Sequence, residues 1–332
     1  MFIEATDQEW IVLYDVAKVT KSLKPWLYLD ENLIIAIEIP GREDPCFFIV
    51  SGQAPENIAL ALYPCKKSLA KYTDYIMNTT EDESFQSKWD QNYLLCYFCD
   101  RNEMLSMQIN KLKDLGLSFR GRNEWIQFVS VRPGYAPYML DKNEVNLMSK
   151  CLSELNVFIG DCIKEKVNTK SSKENVIFRC FDKSTNEYTY KKKTLAISKE
   201  SEYLAVAENE NLINALKKLP ATDSEMELDL VYLESVIKDK TLDRPAITRL
   251  AVLGENTSEM ILGFKVVLPV KDPAHEIYDL LMQSIIERGR PRIIYCKREI
   301  CYSILSDFCD RIDIQLEKRK SLCIVDNLVS AI

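Results

Sequence analysis

Arginine interleaved with aromatic rings is the combination that holds phosphate and stacks a planar base. One stretch of this sequence has it: Arg120, Arg122 and Arg132 surround Trp125 and Phe128, and Tyr135 and Tyr138 follow the Arg132-Pro-Gly-Tyr turn. The same residue types also describe a strand whose rings pack inward and whose guanidinium groups pair with nearby carboxylates. As a ligand site the stretch predicts Arg120, Arg122, Trp125, Arg132 and Tyr135 as the contacts. An enzymatic version would add a pocket and a shifted carboxylate such as Asp100. A second constellation is basic: Arg288, Arg290, Arg292, Lys297 and Arg298 lie within eleven positions. A basic loop joining helix to strand contacts phosphate, whereas Glu287 and Glu299 on its flanks describe an ordinary solvated face.

The remaining chemistry-bearing residues are sparse. Cys96-Tyr-Phe-Cys99 is the one CxxC, with neither a second pair nor a histidine nearby to complete a zinc site. On a strand its two thiols point to opposite faces; on a helix they share one and form a redox pair, against which the flanking aromatics argue for core. Gly116 and Gly121 have P-loop spacing without the Lys-Ser/Thr that holds phosphate and magnesium, so a helix cap and turn is expected there. Neither GxGxxG nor GxSxG occurs. The single histidine, His275, falls in the first turn of a predicted helix, and no carboxylate pair has a spacing that selects it for acid–base work. No catalytic residue, metal site or cofactor is therefore named.

Composition narrows the classes further. With 43 Lys+Arg against 50 Asp+Glu the chain carries a net charge of −7, which argues against non-specific coating of nucleic acid. Nine glycines leave little material for phosphate-cradling loops. Eleven cysteines, an odd number set mostly in apolar runs, read as free thiols of a reducing compartment. Without a signal-peptide pattern or an apolar run of about 18 residues, a cytoplasmic location and no membrane are expected.

The positioning elements follow from periodicity. Trp10, Leu13, Val16, Val19 and Leu23 predict a helix over 7–24 that Pro25 ends. Strands are expected at Trp26–Leu29, Leu33–Ile39, Cys46–Ser51 and Ile58–Tyr63, and a helix at Lys66–Met77. Glu81–Glu83 reads as loop. A strand at Tyr93–Cys99, a helix at Asn102–Leu115, a strand at Trp125–Val131 and a helix from the Asp141 cap to about Glu165 complete the first half. Strands at Val176–Phe181 and Glu187–Leu195, a helix at Asn209–Leu219 and a strand at Met226–Leu233 open the second. Ile247–Leu253, Met260–Leu268, Pro273–Arg288, Arg292–Cys296, Glu299–Arg311, Ile312–Leu316 and Leu322–Ala331 then give a ββαβαβα order. The expected fold class is α+β. An N-terminal domain of antiparallel sheet plus helices spans 1–166, a polar linker 167–174, and a C-terminal mixed-sheet α/β domain 175–332 with its core at about 245–332. Met226–Leu233 is expected to extend the C-terminal sheet.

These residues carry a resemblance. Trp26, the Phe48–Gly52 strand end, Asp100-Arg-Asn-Glu103, Leu115–Gly121 and Arg132–Pro137 with Glu144 make residues 10–155 similar to an uncharacterised bacterial family annotated only as a domain of unknown function. Arg244-Pro245 and the Gly289-Arg-Pro291 turn make residues 240–332 similar to a second such domain that accompanies it. At fold level the C-terminal order is similar to ribonuclease H-like transposases and integrases, which hold metal ions on strand carboxylates. The comparable strands here, Leu250–Leu253 and Ile293–Cys296, carry none, and the resemblance implies a catalytically dead copy. The expectation is a non-enzymatic binding or interaction protein with an unidentified protein partner. The alternative is a nucleic-acid-associated protein with an inactive nuclease-like domain.

Overall fold

The computed structural model describes residues 2–53, 58–77, 80–167, 169, 176–194 and 210–331. Two units emerge, Met1–Ser198 and Lys199–Ile332, each built on one sheet. In the first, α1 (Asp7–Leu23) starts from a capping box: Thr6 accepts the Glu9 N–H, and the Glu9 carboxylate takes the Thr6 N–H at 2.8 Å. There follow β1 (Ile34–Ile37), β2 (Cys46–Ser51), β3 (Ile58–Tyr63), α2 (Lys66–Met77), α3 (Glu81–Lys88), β4 (Tyr93–Cys99), α4 (Ser106–Asp114), β5 (Trp125–Val131), α5 (Lys142–Ile163), β6 (Val176–Asp182) and β7 (Glu187–Lys193). The sheet order is β5-β4-β3-β2-β1-β6-β7. Every neighbouring pair is antiparallel except β1 and β6.

Two apolar faces hold this sheet. Trp10, Leu13 and Tyr14 of α1 and Met148, Leu152, Leu155 and Phe158 of α5 bury one face with Phe48, Leu62, Phe98 and Phe128. Leu69 of α2 covers Phe47, Ile49, Tyr63 and Phe178 on the other. A strand covered on both sides needs an unbroken apolar run, and Cys46-Phe-Phe-Ile-Val supplies it in β2.

The second unit contains α6 (Glu210–Lys217), β8 (Glu225–Ile237), β9 (Ala246–Glu255), β10 (Met260–Val266), α7 (Pro273–Arg288), β11 (Ile293–Cys296), α8 (Glu299–Arg311), β12 (Gln315–Lys318) and α9 (Cys323–Ala331). Its order is β10-β9-β8-β11-β12, with β8, β11 and β12 parallel. Ile277, Leu281 and Ile285 of α7 and Ile304, Leu305 and Phe308 of α8 bury one face. Leu322, Val325 and Leu328 cover Val231, Val252 and Tyr295 on the other.

The α+β class stands, and several details differ from the sequence reading. The hairpin at 176–193 does not open the second domain: β6 pairs in parallel with β1, Ile35 opposite Ile177, so the first unit runs past the expected boundary at 166. Local patterning marks β6 as an apolar strand but carries no information on which sheet receives it. Most of the proposed linker 167–174 lies outside the described residues, as do Leu195 and Asn209 at the ends of two predicted elements. In the second unit β8 is a thirteen-residue central strand, so the sheet begins at Glu225, and the core takes in Ile213 and Leu216 of α6 ahead of the expected 245. Trp26–Leu29 is no strand; Pro25–Leu27 forms a 3₁₀ turn after Lys24 enters the left-handed region at φ 49°. Glu81–Glu83 is the first turn of α3, because Thr80 accepts the Glu83 N–H and three acids complement the helix dipole. The helix expected at Asn102–Leu115 divides into a 3₁₀ turn, Arg101–Glu103, and α4, and the last strand shifts to Gln315–Lys318. Gly116 does cap α4: at φ 66° it lets the Leu117 N–H reach the Leu112 carbonyl at 2.9 Å.

Glu9 ties α1 to α5. Besides Thr6 it accepts from Asn146 at 2.9 Å, and these hydrogen bonds, Asn146 first, lower its carboxyl from 4.5 to about 2. A lowered folded-state value stabilises above the unfolded one and is lost as pH falls through the folded one. Acid titration is therefore expected to weaken the first unit progressively below about pH 4.5, toward about pH 2. Glu9→Gln removes that part of the slope in urea midpoints measured across the range; an unchanged slope refutes the assignment.

Candidate functional site

The two sequence-derived sites come apart. Trp125 opens β5 and Arg132 follows its last residue, so a fully extended strand puts roughly 20 Å between them. Trp125 packs on Phe119, with Arg101 over its ring at 5.8 Å. Arg120 and Arg122 are exposed in the loop at that end. At the other end Arg132 holds Asp141 at 2.6 Å and Glu144 at 2.7 Å, and Ser130 donates to Glu144, clamping β5 to the start of α5. These carboxylates raise the Arg132 value against the burial that lowers it. Tyr135 lies in the turn beyond, where its N–H reaches the Arg132 carbonyl. Asp100 accepts the Asn123 N–H at 2.7 Å and caps the 3₁₀ turn, which gives it a structural task.

The basic constellation is likewise no single loop. Arg288, Arg290 and Arg292 precede β11, whereas Lys297 and Arg298 follow it. Arg290 donates to the Leu219 carbonyl at 3.1 Å and the Ile312 carbonyl at 2.6 Å. Arg292 pairs with Glu225, Lys297 with Asp326 at 3.1 Å, and Arg298 with Asp229. Arg288 alone of the five is exposed with no ion pair among the described residues. His275 is exposed 3.8 Å from Asp279. Cys96 and Cys99 both enter one core cluster, because β4 ends at Cys99 as the chain turns. Burial pushes the Cys99 thiol up to about 12.

The topology directs attention elsewhere. In open α/β sheets ligands bind outside the carboxyl ends of parallel strands, where the strand order reverses. Each unit has such a place. In the first, β1 leads to β2 on one side while β6, reached through α5, lies on the other. Arg179 sits there, opposite Ile37. Its Nε and Nη2 donate to Glu154 of α5 at 2.9 and 2.8 Å, and its Nη1 donates to the Tyr190 hydroxyl at 2.8 Å. That hydroxyl donates to Asp161 at 2.7 Å, which holds the Asp161 carboxyl below its usual range. The Tyr188 ring lies 4.2 Å from the guanidinium. Beside this cluster the neighbouring Cys46 thiol, with burial, keeps the proton on the buried Cys151 thiol.

In the second unit β9 and β11 flank β8, and the reversal falls between β8 and β11. Glu227 and Asp229 alternate with the apolar Met226, Leu228 and Leu230. Glu227 accepts the N–H groups of Cys323, Ile324 and Val325 at 3.0, 2.9 and 3.4 Å, capping α9. Asp229 accepts both the backbone N–H and the guanidinium of Arg298, the residue that caps α8. Burial, followed by the Asp229 charge, pushes Cys296 up to about 12 and Cys301 upward too. The strand compared at the sequence level, Leu250–Leu253, is thus the second in this sheet. The first, β8, does carry two buried carboxylates, Glu227 and Asp229, each committed to a helix start. Among the described residues no group of three or more His, Cys, Asp or Glu is placed to hold a metal ion.

Sequence reasoning missed Glu154, Arg179, Tyr190, Glu227, Asp229 and the pairing role of Arg298. One signal was present: a single charge inside an apolar strand, as in Val-Ile-Phe-Arg179-Cys-Phe, needs a buried counter-charge.

Fold and geometry define a chain of two α+β units, each with an arginine–carboxylate pair at its parallel strand pair. The chain belongs to the family of the domain of unknown function DUF7309, whose model matches residues 10–179, half of its length. A second domain of unknown function, DUF6930, matches residues 212–332. No curated protein matches the chain. Among solved structures, 34% of the chain is similar to 41% of a chain in the simian T-cell lymphotropic virus intasome bound to PP2A regulatory subunit B56 gamma, at 15% identity and TM-score 0.25. Another 32% match covers 65% of the magnesium-bound, trimeric HTLV-2 integrase catalytic core domain, at 16% identity and TM-score 0.23. The chain spans less than two thirds of either, and likeness at this level carries no argument about activity.

Proposed function

We propose that this chain is a non-catalytic interaction protein. One observation carries the reading: the place in each unit where an α/β sheet would receive a ligand is filled by the chain's own arginine–carboxylate pair, Arg179–Glu154 and Arg298–Asp229. A carboxylate whose charge is matched by a guanidinium or by helix N–H groups is held in place by the chain itself and is a weak proton acceptor. A cytoplasmic location belongs to the same proposal, supported by eleven free cysteines, eight of them buried.

The test is fluorescence anisotropy with short single- and double-stranded DNA and RNA at two salt concentrations, run with and without magnesium or manganese ions. Neither saturable binding at low salt nor cleavage is expected. Saturable binding that weakens with salt would install the nucleic-acid alternative, and metal-dependent cleavage surviving purification would make the chain an enzyme.

A further inference from the structure

Strand edges are sticky, and proteins blunt them with charge, shortness or cover. Three of the four edges among the described residues are blunted. β7 carries Lys191, Lys192 and Lys193; β12 has four residues, two of them charged; and Tyr138 covers β5 by exchanging hydrogen bonds of 2.8 and 3.0 Å with Ser130. β10 has only a bulge between Ile261 and Gly263, beyond which its ladder with β9 runs unbroken to Val266. Its one charge, Lys265, turns to Asp279 at 3.1 Å and Glu276 at 3.6 Å of α7, while Phe264 and Val266 stand 61% and 45% exposed on the opposite face. Gly263 and Lys265 pair with Leu253 and Ala251 of β9, and the Val267 N–H reaches the Arg249 carbonyl. By the two-residue period, Phe264 and Val266 turn their N–H and C=O groups outward.

Beside this edge, between β10 and α7, lies a groove of about 180 Å³. Leu253, Leu262 and Leu280 line its apolar part, and Ser284, Glu287 and Arg288 its polar wall. Gly263 keeps it open, since a Cβ there would come within 2.9 Å of Leu280. Ser284 is 6% exposed, with no hydrogen-bond partner for its hydroxyl. The space takes one side chain, well short of the roughly 300–1,000 Å³ of a small-molecule pocket. Lys265 is neutralised by α7, so Arg288 is the groove's cation without an ion pair among the described residues, next to the Glu287 carboxylate that accepts from the neutral Gln283 amide.

We propose that β10 and this groove dock an extended segment of a partner protein as a sixth strand, with one apolar side chain in the groove and an acidic side chain on Arg288. The proposal rests on the interaction reading above and names the chemistry of the partner. The experiment selects phage-displayed random peptides on the full chain. Synthetic copies of the enriched peptides are then titrated by anisotropy against wild type, Val266→Pro and Arg288→Glu, with circular dichroism confirming the fold. Val266→Pro deletes an outward N–H and leaves the β9 ladder intact. The enriched peptides are expected to share an apolar and an acidic residue. Each variant is expected to weaken them about tenfold, the size of a lost backbone hydrogen bond for Val266→Pro and of a lost charged one for Arg288→Glu. A peptide with lysine in place of its acid regains binding on Arg288→Glu. No enrichment, or peptides indifferent to both variants, overturns the docking site while leaving the interaction reading to its own test. A wild-type dimer in sedimentation that Val266→Pro splits assigns the edge to a second copy and also overturns it.

Discussion

Arg298→Ala is expected to destabilise the second unit by about 3–5 kcal/mol, the range for removing one partner of a buried ion pair. Asp229 is 0% exposed, so water cannot replace the lost guanidinium. The loss also strikes three elements together, because Asp229 lies on β8 and Arg298 joins β11 to α8. Replacing both members, Asp229→Leu with Arg298→Met, is expected to restore most of the stability, since a packed apolar pair is often as good as a buried ionic one. The readout separates the units. All four tryptophans, Trp10, Trp26, Trp89 and Trp125, belong to the first unit. The alanine variant should therefore shift the urea transition seen by far-ultraviolet circular dichroism and spare the one seen by tryptophan fluorescence. An unshifted dichroism midpoint would refute the contribution assigned to the Arg298–Asp229 pair.

How much of this was legible beforehand depends on the range of the interaction. Elements with strong local signals were read nearly residue for residue: the Asp141–Glu144 capping box starts α5, Gly116 ends α4, and Cys46–Ser51 and Trp125–Val131 are strands. Glu81–Glu83 was misread because acids look like loop until the Thr80 cap is weighed with them. Sheet membership was least legible. Nothing local in Val176–Asp182 records that its partner is Ile34–Ile37, some 140 residues earlier, instead of the strands that follow. The spatial grouping of the site residues was hidden for the same reason. Grouping basic residues by sequence distance put Arg288 with Arg298, yet β11 carries the chain from one end of the sheet to the other between them. The partners that matter, Asp229 for Arg298 and Glu154 for Arg179, are 69 and 25 residues away. Charges inside apolar strands were visible, but their counter-charges were not.

The companion substitution in the first unit separates burial from charge as the source of these effects. Arg179→Ala breaks the same kind of pair, but Glu154 keeps 26% of its side chain exposed, so its carboxylate recovers water when the guanidinium leaves. The expected loss is about 2 kcal/mol, nearer to a charged hydrogen bond than to an orphaned buried ion. Part of it is packing, since the Tyr188 ring loses the cation 4.2 Å away. Here the tryptophan-detected transition should move. Arg179→Lys should recover only part, because an ammonium cannot reach Glu154 and Tyr190 with the fixed fork of a guanidinium. Tyr190→Phe adds a pH signature. The Tyr190 hydroxyl is the largest cause holding the Asp161 carboxyl below its ordinary 3.8. Stability from that depressed value is present above 3.8 and lost as pH falls below it. The phenylalanine variant should thus lie closest to wild type in strong acid and fall furthest behind near neutrality. If Arg179→Ala proves as damaging as Arg298→Ala, solvent access does not set the difference, and the two pairs must be distinguished by how many elements each one joins.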